Sequence, residues 1–197
     1  MDIGNLPLVL ASASPRRQEL LAEAGYKFEV VVSQIDESVF PTENIAPVEY
    51  AKQLAFAKAN DVAEKYPDSV VIGADTVVDF QGQIIGKARD AKHAEEITRM
   101  LFSSPHKVIT GLALVCKSRN IKIVEAETTV VYPRKLTDAQ IAGHIESGVW
   151  RNKSGACDID DVKDKFIKSV KGSISNIKGL PLELLNGLLN YFFKEDI

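Results

Sequence analysis

Short apolar runs alternate with amphipathic segments along the 197 residues of the chain. Short apolar runs predict strands over residues 8–11, over residues 28–32, where β-branched residues are common, and from Val70. Apolar residues near helical spacing, following Pro15 and Pro47, predict two helices, the second reaching about Lys65. Strands and helices thus alternate at the start of the chain, an order typical of an α/β fold.

The second half of the pattern predicts two hairpins and a series of further elements. A turn at Gln81-Gly82 closes a hairpin over residues 76–85, and two long apolar runs, 107–116 and 121–132, form the other. The remaining elements are helices over residues 91–102, 137–147 and 181–193, the second beginning with a capping box, and a strand over residues 166–170. We therefore predict an α/β fold with a mixed, twisted sheet flanked by helices, in a single domain over residues 1–197.

Composition narrows the classes of protein that this chain fits. Hydrophobic residues make up 45% and charged residues 26%, which suits one sizeable core, and the net charge of -3 argues against a broad nucleic-acid-binding surface. The widely separated Cys116 and Cys157 are expected to be reduced thiols. No apolar run approaches the ~20 residues of a membrane span, and no basic region precedes the first apolar segment. We expect a cytoplasmic protein that does not enter a membrane.

The first candidate site is the stretch from Ser12 to Arg17, between a strand and a helix. A helix N-terminus offers free N–H groups and a positive dipole, and Arg16 and Arg17 add guanidinium donors. Together they suit a phosphate group. A capped helix with two solvated arginines fits the pattern about equally well.

Acidic residues and lysines form two further candidates. Asp75 and Thr76 follow the strand from Val70, where an aspartate binds a divalent metal, activates water or simply forms a turn. Asp36-Glu37, Lys58 and Lys87 match the needs of a metal-bound polyphosphate, although each alone fits an ordinary surface charge. Their expected position at strand ends is the argument for a shared site.

Several common sites are absent from the sequence. Neither a P-loop nor a dinucleotide-binding glycine motif occurs. His93, His106 and His144 lack zinc-ligand spacing and are interpreted as surface or packing residues. Trp150 is interpreted as an anchor of the polar, weakly periodic segment 148–164.

An ordered set of motifs resembles the Maf proteins, also called septum-formation inhibitor proteins, from about residue 8 to residue 185. In chain order these motifs are LASASPRRQELL, Asp36-Glu37-Ser38, Ala57-Lys58-Ala59, IGADTVV, Gly86-Lys87, ITGLALV, SGVWRNKSGA and SNIKGLPLELL. The resemblance implies a nucleoside triphosphate pyrophosphatase that releases a monophosphate and pyrophosphate. It also implies a divalent metal (Mg²⁺ or Mn²⁺), a homodimer, and a two-lobed fold with a cleft, similar to inosine triphosphatases.

The resemblance also implies roles for individual residues. Asp75 matches the general-base position, and Glu37 matches an acidic position that handles metal or phosphate. The positions that match substrate-contacting residues of the family are Ser12, Arg16, Arg17, Lys58 and Lys87, and those linked to base selection are Arg16 and Thr76. The SPRR and GADT motifs are similar to the branch that acts on dTTP and UTP, rather than the branch that prefers 7-methyl-GTP.

One departure from that branch concerns Asp160. The branch usually carries glutamine there, within a Gly-Ala-Tyr-x-Ile-Gln-Gly motif, whereas this chain reads GACDIDD. A glutamine both donates and accepts, but an ionised Asp160 only accepts, which costs a pyrimidine carbonyl about 1–3 kcal/mol of binding. We therefore expect hydrolysis to persist with the base preference open, including modified pyrimidine nucleotides.

A mechanism follows as a hypothesis. The arginines and lysines hold the triphosphate, a metal near Glu37 and Asp75 polarises the α-phosphoryl group, and Asp75 helps to deprotonate water. The alternative is a nucleotide-binding or nucleic-acid-binding regulator of cell division that lacks catalysis.

Overall fold

The computed structural model describes residues 6–151, 153–157 and 166–193. Its strands are β1 (Leu8–Leu10), β2 (Glu29–Val30), β3 (Val70–Phe80), β4 (Gln83–Ile85), β5 (His106–Cys116), β6 (Ile121–Pro133) and β7 (Ile167–Lys171). Its helices are α1 (Pro15–Glu23), α2 (Pro47–Ala63), α3 (Ala91–Leu101), α4 (Asp138–Ser147), α5 (Ile174–Ile177) and α6 (Leu182–Phe193), with a 3₁₀ turn at Glu37–Val39.

The strands form one mixed sheet in the order β2-β1-β3-β5-β6-β7, and β4 also pairs with β3. Strand β1 runs parallel to both β2 and β3. The later pairings are antiparallel, including the long ladder between β5 and β6. The predicted mixed α/β architecture is therefore confirmed.

Strand β3 is longer than the sequence predicted, and this corrects the position of Asp75. The expected short strand from Val70 and the first arm of the hairpin over residues 76–85 are one continuous strand, which pairs with β5 from Val71 to Asp79. Asp75 and Thr76 therefore lie in the middle of β3 and not at the end of a strand. The predicted turn at residues 81–82 is confirmed, because Gln81 and Gly82 both have positive φ angles between β3 and β4.

Helix α2 packs directly against the backbone of β3 and β5. A Cβ atom on Gly73 would lie 2.2 Å from the carbonyl oxygen of Ala55, and one on Gly111 would lie 2.2 Å from that of Ala51. The helix presents alanines to the sheet at this contact, and Ala51 and Ala55 are fully buried. Because glycines on the sheet face alanines on the helix, α2 packs closely against the sheet. This packing holds Lys58 of α2 near the middle of β3.

Two large apolar clusters occupy opposite ends of the long strands. The first joins β1, α1 and α6 with the beginning of β3 and the end of β5. The second joins α3, β4 and β7 with the end of β3 and the beginning of β5, and it contains Trp150. The indole N–H of Trp150 donates to the carbonyl of Ile145 at 3.0 Å, which confirms its interpretation as an anchor.

Local signals for helix termini were confirmed in part. The predicted capping box of α4 is present, because Thr137 and Gln140 exchange hydrogen bonds. Ser14 holds the N-cap position of α1, but its side chain makes no capping bond. The backbone N–H of Ser14 donates instead to Oγ of Ser12 at 3.2 Å. His106 and His144 are buried packing residues, as predicted.

Candidate active site

A cavity of about 720 Å³ lies between the start of α1 and the second apolar cluster. Its polar part is lined by the start of α1 and by cationic side chains, namely Arg16, Arg17, Lys58, Lys87, Lys153 and Lys178. Its apolar part is lined by members of the second cluster, namely Val78, Leu101, Phe102, Val108, Val131 and Ile167. A ligand with an anionic end and a flat or apolar end fits this division.

Lys58 joins the two acidic residues that the sequence singled out. Its Nζ lies 2.7 Å from Oε1 of Glu37 and 2.7 Å from Oδ1 of Asp75. The exposed fraction is 13% for the Lys58 side chain, 11% for Asp75 and 55% for Glu37. The prediction that these residues lie at strand ends was wrong. Lys58 lies on a helix, Glu37 in a 3₁₀ turn and Asp75 in the middle of a strand.

The two carboxylates of this cluster differ in their pKa. Burial raises the pKa of Asp75 above its ordinary value, and the negative charge of Glu37 adds to the increase, while Lys58 and Arg17 oppose it. Burial also favours a higher pKa for Glu37, but the hydrogen bond and charge of Lys58, with the charges of Lys87 and Arg17, leave that pKa lowered. Glu37 is therefore the more acidic member, and Asp75 is the better proton acceptor near neutral pH.

Arg17 links the start of α1 to β3 and to the segment before α6. Its guanidinium donates to Oγ of Ser12 at 3.2 Å, to Oγ1 of Thr76 at 3.1 Å and to the carbonyl of Gly179 at 2.8 Å. Burial lowers the pKa of Arg17, and the charges of Asp75 and Glu37 oppose the decrease. Arginine nevertheless remains charged in proteins, so the cavity keeps a fixed positive group.

The contacts of Ser12 leave its hydroxyl proton for a ligand. Its oxygen accepts from the backbone N–H of Ser14 and from Arg17, and these two bonds use both lone pairs. Ser12 is buried and lines the cavity. A hydroxyl that can only donate suits an anionic oxygen such as that of a phosphate.

Lys87 is positioned by a contact between two loops. Lys87 and Ser154 form a short antiparallel bridge, and the N–H of Gly155 donates to the carbonyl of Gly86 at 3.1 Å. This bridge brings Lys153 to the wall of the same cavity. Arg16 also lines it, 4.0 Å from Glu19.

The acidic pair fits a divalent cation that arrives with a polyphosphate. Glu37 and Asp75 already share one positive charge, that of Lys58, which shows that they can face a common cation. Among the described residues, no group of three or more His, Cys, Asp and Glu side chains could hold a metal ion. Mg²⁺ is commonly held by one or two carboxylates, with substrate phosphates and water completing its shell.

The structure brings most of the predicted site residues into this one cavity. Seven of them line it, namely Ser12, Arg16, Arg17, Glu37, Lys58, Thr76 and Lys87. Asp75 lies directly behind Lys58. Asp160, and with it the expected effect on base preference, lies outside the described residues.

Sequence reasoning missed Lys153, Lys178 and Gly179. Gly179 has a φ of +101°, which favours glycine, and its carbonyl accepts from Arg17. The SNIKGLPLELL motif contains Lys178 and Gly179, but a motif alone does not reveal which side chain or carbonyl faces a distant cavity.

Known proteins are similar to this chain over most of its length. The model of a family described as "Maf-like protein" matches residues 7–192. A dTTP/UTP pyrophosphatase of Geotalea uraniireducens is 42% identical over 89% of this chain and 89% of its own length. Another, from Elusimicrobium minutum, is 41% identical over 95% of this chain and 99% of its own length.

One solved structure is a more distant match. It is the nucleoside-triphosphatase (dITP/XTP pyrophosphatase) of Mycobacterium abscessus, with a TM-score of 0.40 and 13% sequence identity. The alignment covers 66% of this chain and 74% of that chain.

Proposed function

The chain belongs to the Maf-like protein family, and on that premise we propose that it is a nucleoside triphosphate pyrophosphatase acting on dTTP and UTP. The reaction cleaves the bond between the α- and β-phosphates and gives a nucleoside monophosphate and pyrophosphate. The observation that carries this proposal is the Glu37–Lys58–Asp75 cluster beside an arginine-rich cavity. Relatives that are about 40% identical along most of the chain are dTTP/UTP pyrophosphatases, which supports dTTP and UTP as the substrates.

The cationic side chains of the cavity bind the triphosphate. Arg16, Lys58 and Lys87 supply charge, Arg17 holds Ser12 in place, and the Ser12 hydroxyl donates to a phosphate oxygen. Binding in a partly enclosed cavity strengthens these contacts relative to water. This part of the site accounts for affinity and for the position of the α-phosphate.

Asp75 acts as the general base. Its raised pKa brings its basicity closer to neutral pH, where a carboxylate takes a proton from water more readily. Lys58 orients the carboxylate through a hydrogen bond of 2.7 Å. Glu37 keeps its negative charge and balances Lys58.

Glu37 and Asp75 would hold a divalent cation, Mg²⁺ or Mn²⁺, together with the phosphates. When bound, such a cation supplies charge that stabilises the electrons moving onto phosphoryl oxygens. Lys58 would then share the acidic pair with the cation. Its ammonium group, which lines the cavity, would pair with a phosphate oxygen.

Other expectations accompany the proposal. We also propose a cytoplasmic location and a homodimer, as the resemblance implies. No described helix is both long and apolar enough to span a bilayer. The non-catalytic alternative is not favoured by any described contact, since a pure binding site does not need a buried carboxylate held by Lys58.

A panel of triphosphates tests the proposed function. Purified protein is mixed with dTTP, UTP, CTP, the purine triphosphates and modified pyrimidine triphosphates, with Mg²⁺ or Mn²⁺, and pyrophosphate release is measured. We expect release from dTTP and UTP above the other standard nucleotides. Tight nucleotide binding without release from any member would favour the non-catalytic alternative.

A further inference from the structure

Thr76 and Thr110 are directly opposite each other in the sheet. They are register partners in the antiparallel pairing of β3 and β5, and their hydroxyl oxygens lie 3.0 Å apart. Thr110 is fully buried, whereas Thr76 lines the cavity. A contact between the two hydroxyls therefore connects the core to the ligand site.

The surrounding contacts decide which hydroxyl donates. Thr110 donates its single proton to the backbone carbonyl of Asn176, at 3.0 Å, because a carbonyl oxygen can only accept. Thr76 must therefore be the donor in the bond between the two threonines. Thr76 also accepts from Arg17, at 3.1 Å, because a guanidinium can only donate.

The Thr76 hydroxyl can therefore only accept a hydrogen bond from a ligand in the cavity. Its proton is used by Thr110, one lone pair is used by Arg17, and its second lone pair accepts no hydrogen bond from the described residues. A ligand group that donates is stabilised at this point, and a group that only accepts is repelled.

Thr76 lies where the two parts of the cavity meet. It is two residues from Val78 on the same face of β3, and Val78 belongs to the apolar part. In the polar part, Arg17 donates both to Thr76 and to Ser12. A nucleotide whose phosphates occupy the polar part brings its base toward Thr76.

We propose that Thr110 is a specificity-determining positioning residue, which forces the Thr76 hydroxyl to accept and so favours bases with an imide N–H. Uracil and thymine carry a proton on N3, whereas N3 of cytosine is an acceptor. Thr110 itself does not touch the base. The proposal rests on the proposed function, because it assumes that the cavity binds pyrimidine triphosphates.

The test removes only the hydroxyl of Thr110. Thr110→Val keeps the shape of the side chain and frees the Thr76 proton, which then can point toward the base. We expect the ratio of kcat/KM for UTP to kcat/KM for CTP to fall about tenfold, the size of effect expected for one hydrogen bond. Thr110→Ser keeps the hydroxyl and should keep the wild-type ratio.

A matched control accounts for the general effect of removing a buried hydroxyl. Thr98 is also fully buried, and its hydroxyl donates to the carbonyl of Ala94 within α3. Thr98→Val should leave the UTP/CTP ratio unchanged. If Thr110→Val does not fold, Thr110→Ala replaces it with the same expectation.

Binding measurements separate failure of this proposal from failure of the proposed function. Dissociation constants for UTP and CTP are measured in EDTA, where their ratio does not depend on turnover. A Thr110→Val protein that keeps the wild-type binding ratio, and the wild-type kcat/KM ratio where turnover occurs, overturns the proposal. A wild-type protein that prefers UTP in binding but releases no pyrophosphate contradicts only the proposed function.

Discussion

At the scale of single residues, the site depends on one lysine that serves two carboxylates. Lys58 lies 2.7 Å from both Glu37 and Asp75, and its charge opposes the increase that burial produces in the pKa of Asp75. The lysine therefore limits the increase in the pKa of Asp75 that burial produces. It also keeps two negative side chains together before any ligand binds.

Replacing this lysine tests that control directly. Lys58→Met removes the charge and the hydrogen bond that lower the pKa of Asp75, so that pKa should rise further. Carbon-13 NMR of the aspartate carboxyl groups, followed through a pH titration, measures the change without relying on activity. As the pH is lowered, the rate of any remaining hydrolysis should begin to fall at a higher pH than in the wild type.

The control for this titration comes from the same helix. Lys52 of α2 is half-buried, and the charges that shift the pKa of Asp75 are those of Lys58, Arg17 and Glu37. Lys52→Met should therefore leave the Asp75 titration unchanged. An unshifted Asp75 pKa in Lys58→Met would show that the lysine does not lower that pKa.

Residue identities were easier to predict than their contacts. The order of motifs was sufficient to select Ser12, Arg17 and Lys58, and the structure brings them to one cavity. Thr110 lies within the ITGLALV motif, but the sequence assigned it no role. A threonine within an apolar strand is common, and its role depends on which group accepts its proton. The acceptor, the carbonyl of Asn176, is far from Thr110 in the sequence and is identified only by the structure.

At the scale of elements, the distance between helix α2 and the sheet positions Lys58. Gly73 and Gly111 leave space for the backbone of the helix at Ala55 and Ala51. Gly73 is two residues from Asp75 on β3, and Ala55 is three residues from Lys58 on α2. A change in the packing at this contact therefore alters both stability and the Lys58–Asp75 pair.

Gly73→Ala should be strongly destabilising. The added Cβ would lie 2.2 Å from the carbonyl oxygen of Ala55, so the helix must move. We expect the free energy of unfolding, measured with urea, to fall by about 3 kcal/mol, the upper end of overpacking effects. Turnover should fall as well, because the lysine moves with the helix.

Gly143→Ala is the matched control. Gly143 lies inside α4 and is exposed, and beyond its chain neighbours and the backbone of its own helix no heavy atom lies within 4 Å of the added Cβ. Alanine is the better helix former, so the free energy of unfolding should rise by about 0.5–1 kcal/mol. Equal stability of the two alanine variants would contradict the close packing of α2.

Periodicity predicted most elements, but not the length of β3. Gly73, Asp75 and Thr76 interrupt its apolar pattern and suggested an early end to the strand. The strand continues because β5 pairs with it from Val71 to Asp79, a tertiary contact that local sequence does not contain. Short α5 was missed for the related reason that four residues carry too little periodicity.

At the scale of the whole molecule, the distribution of charge matters more than its total. The net charge is -3, yet six lysine and arginine side chains line one cavity. The acidic residues at this cavity are Glu19 and Glu37, with Asp75 behind Lys58. A mildly acidic protein thus offers a local site for a small polyanion.

The central claim is that Asp75 drives attack of water on the α-phosphate of a pyrimidine triphosphate. The most direct measurement is hydrolysis of UTP in ¹⁸O-labelled water with Mg²⁺, with the products analysed by mass spectrometry for the wild type and for Asp75→Asn. The variant should fold normally, since burial raises the pKa of Asp75 and its ionised form therefore costs stability at neutral pH. We predict UMP and pyrophosphate with the label in UMP, and a loss of about 10²–10⁴-fold in the rate for Asp75→Asn. UDP and phosphate as products, or near-normal turnover by the variant, would contradict the account.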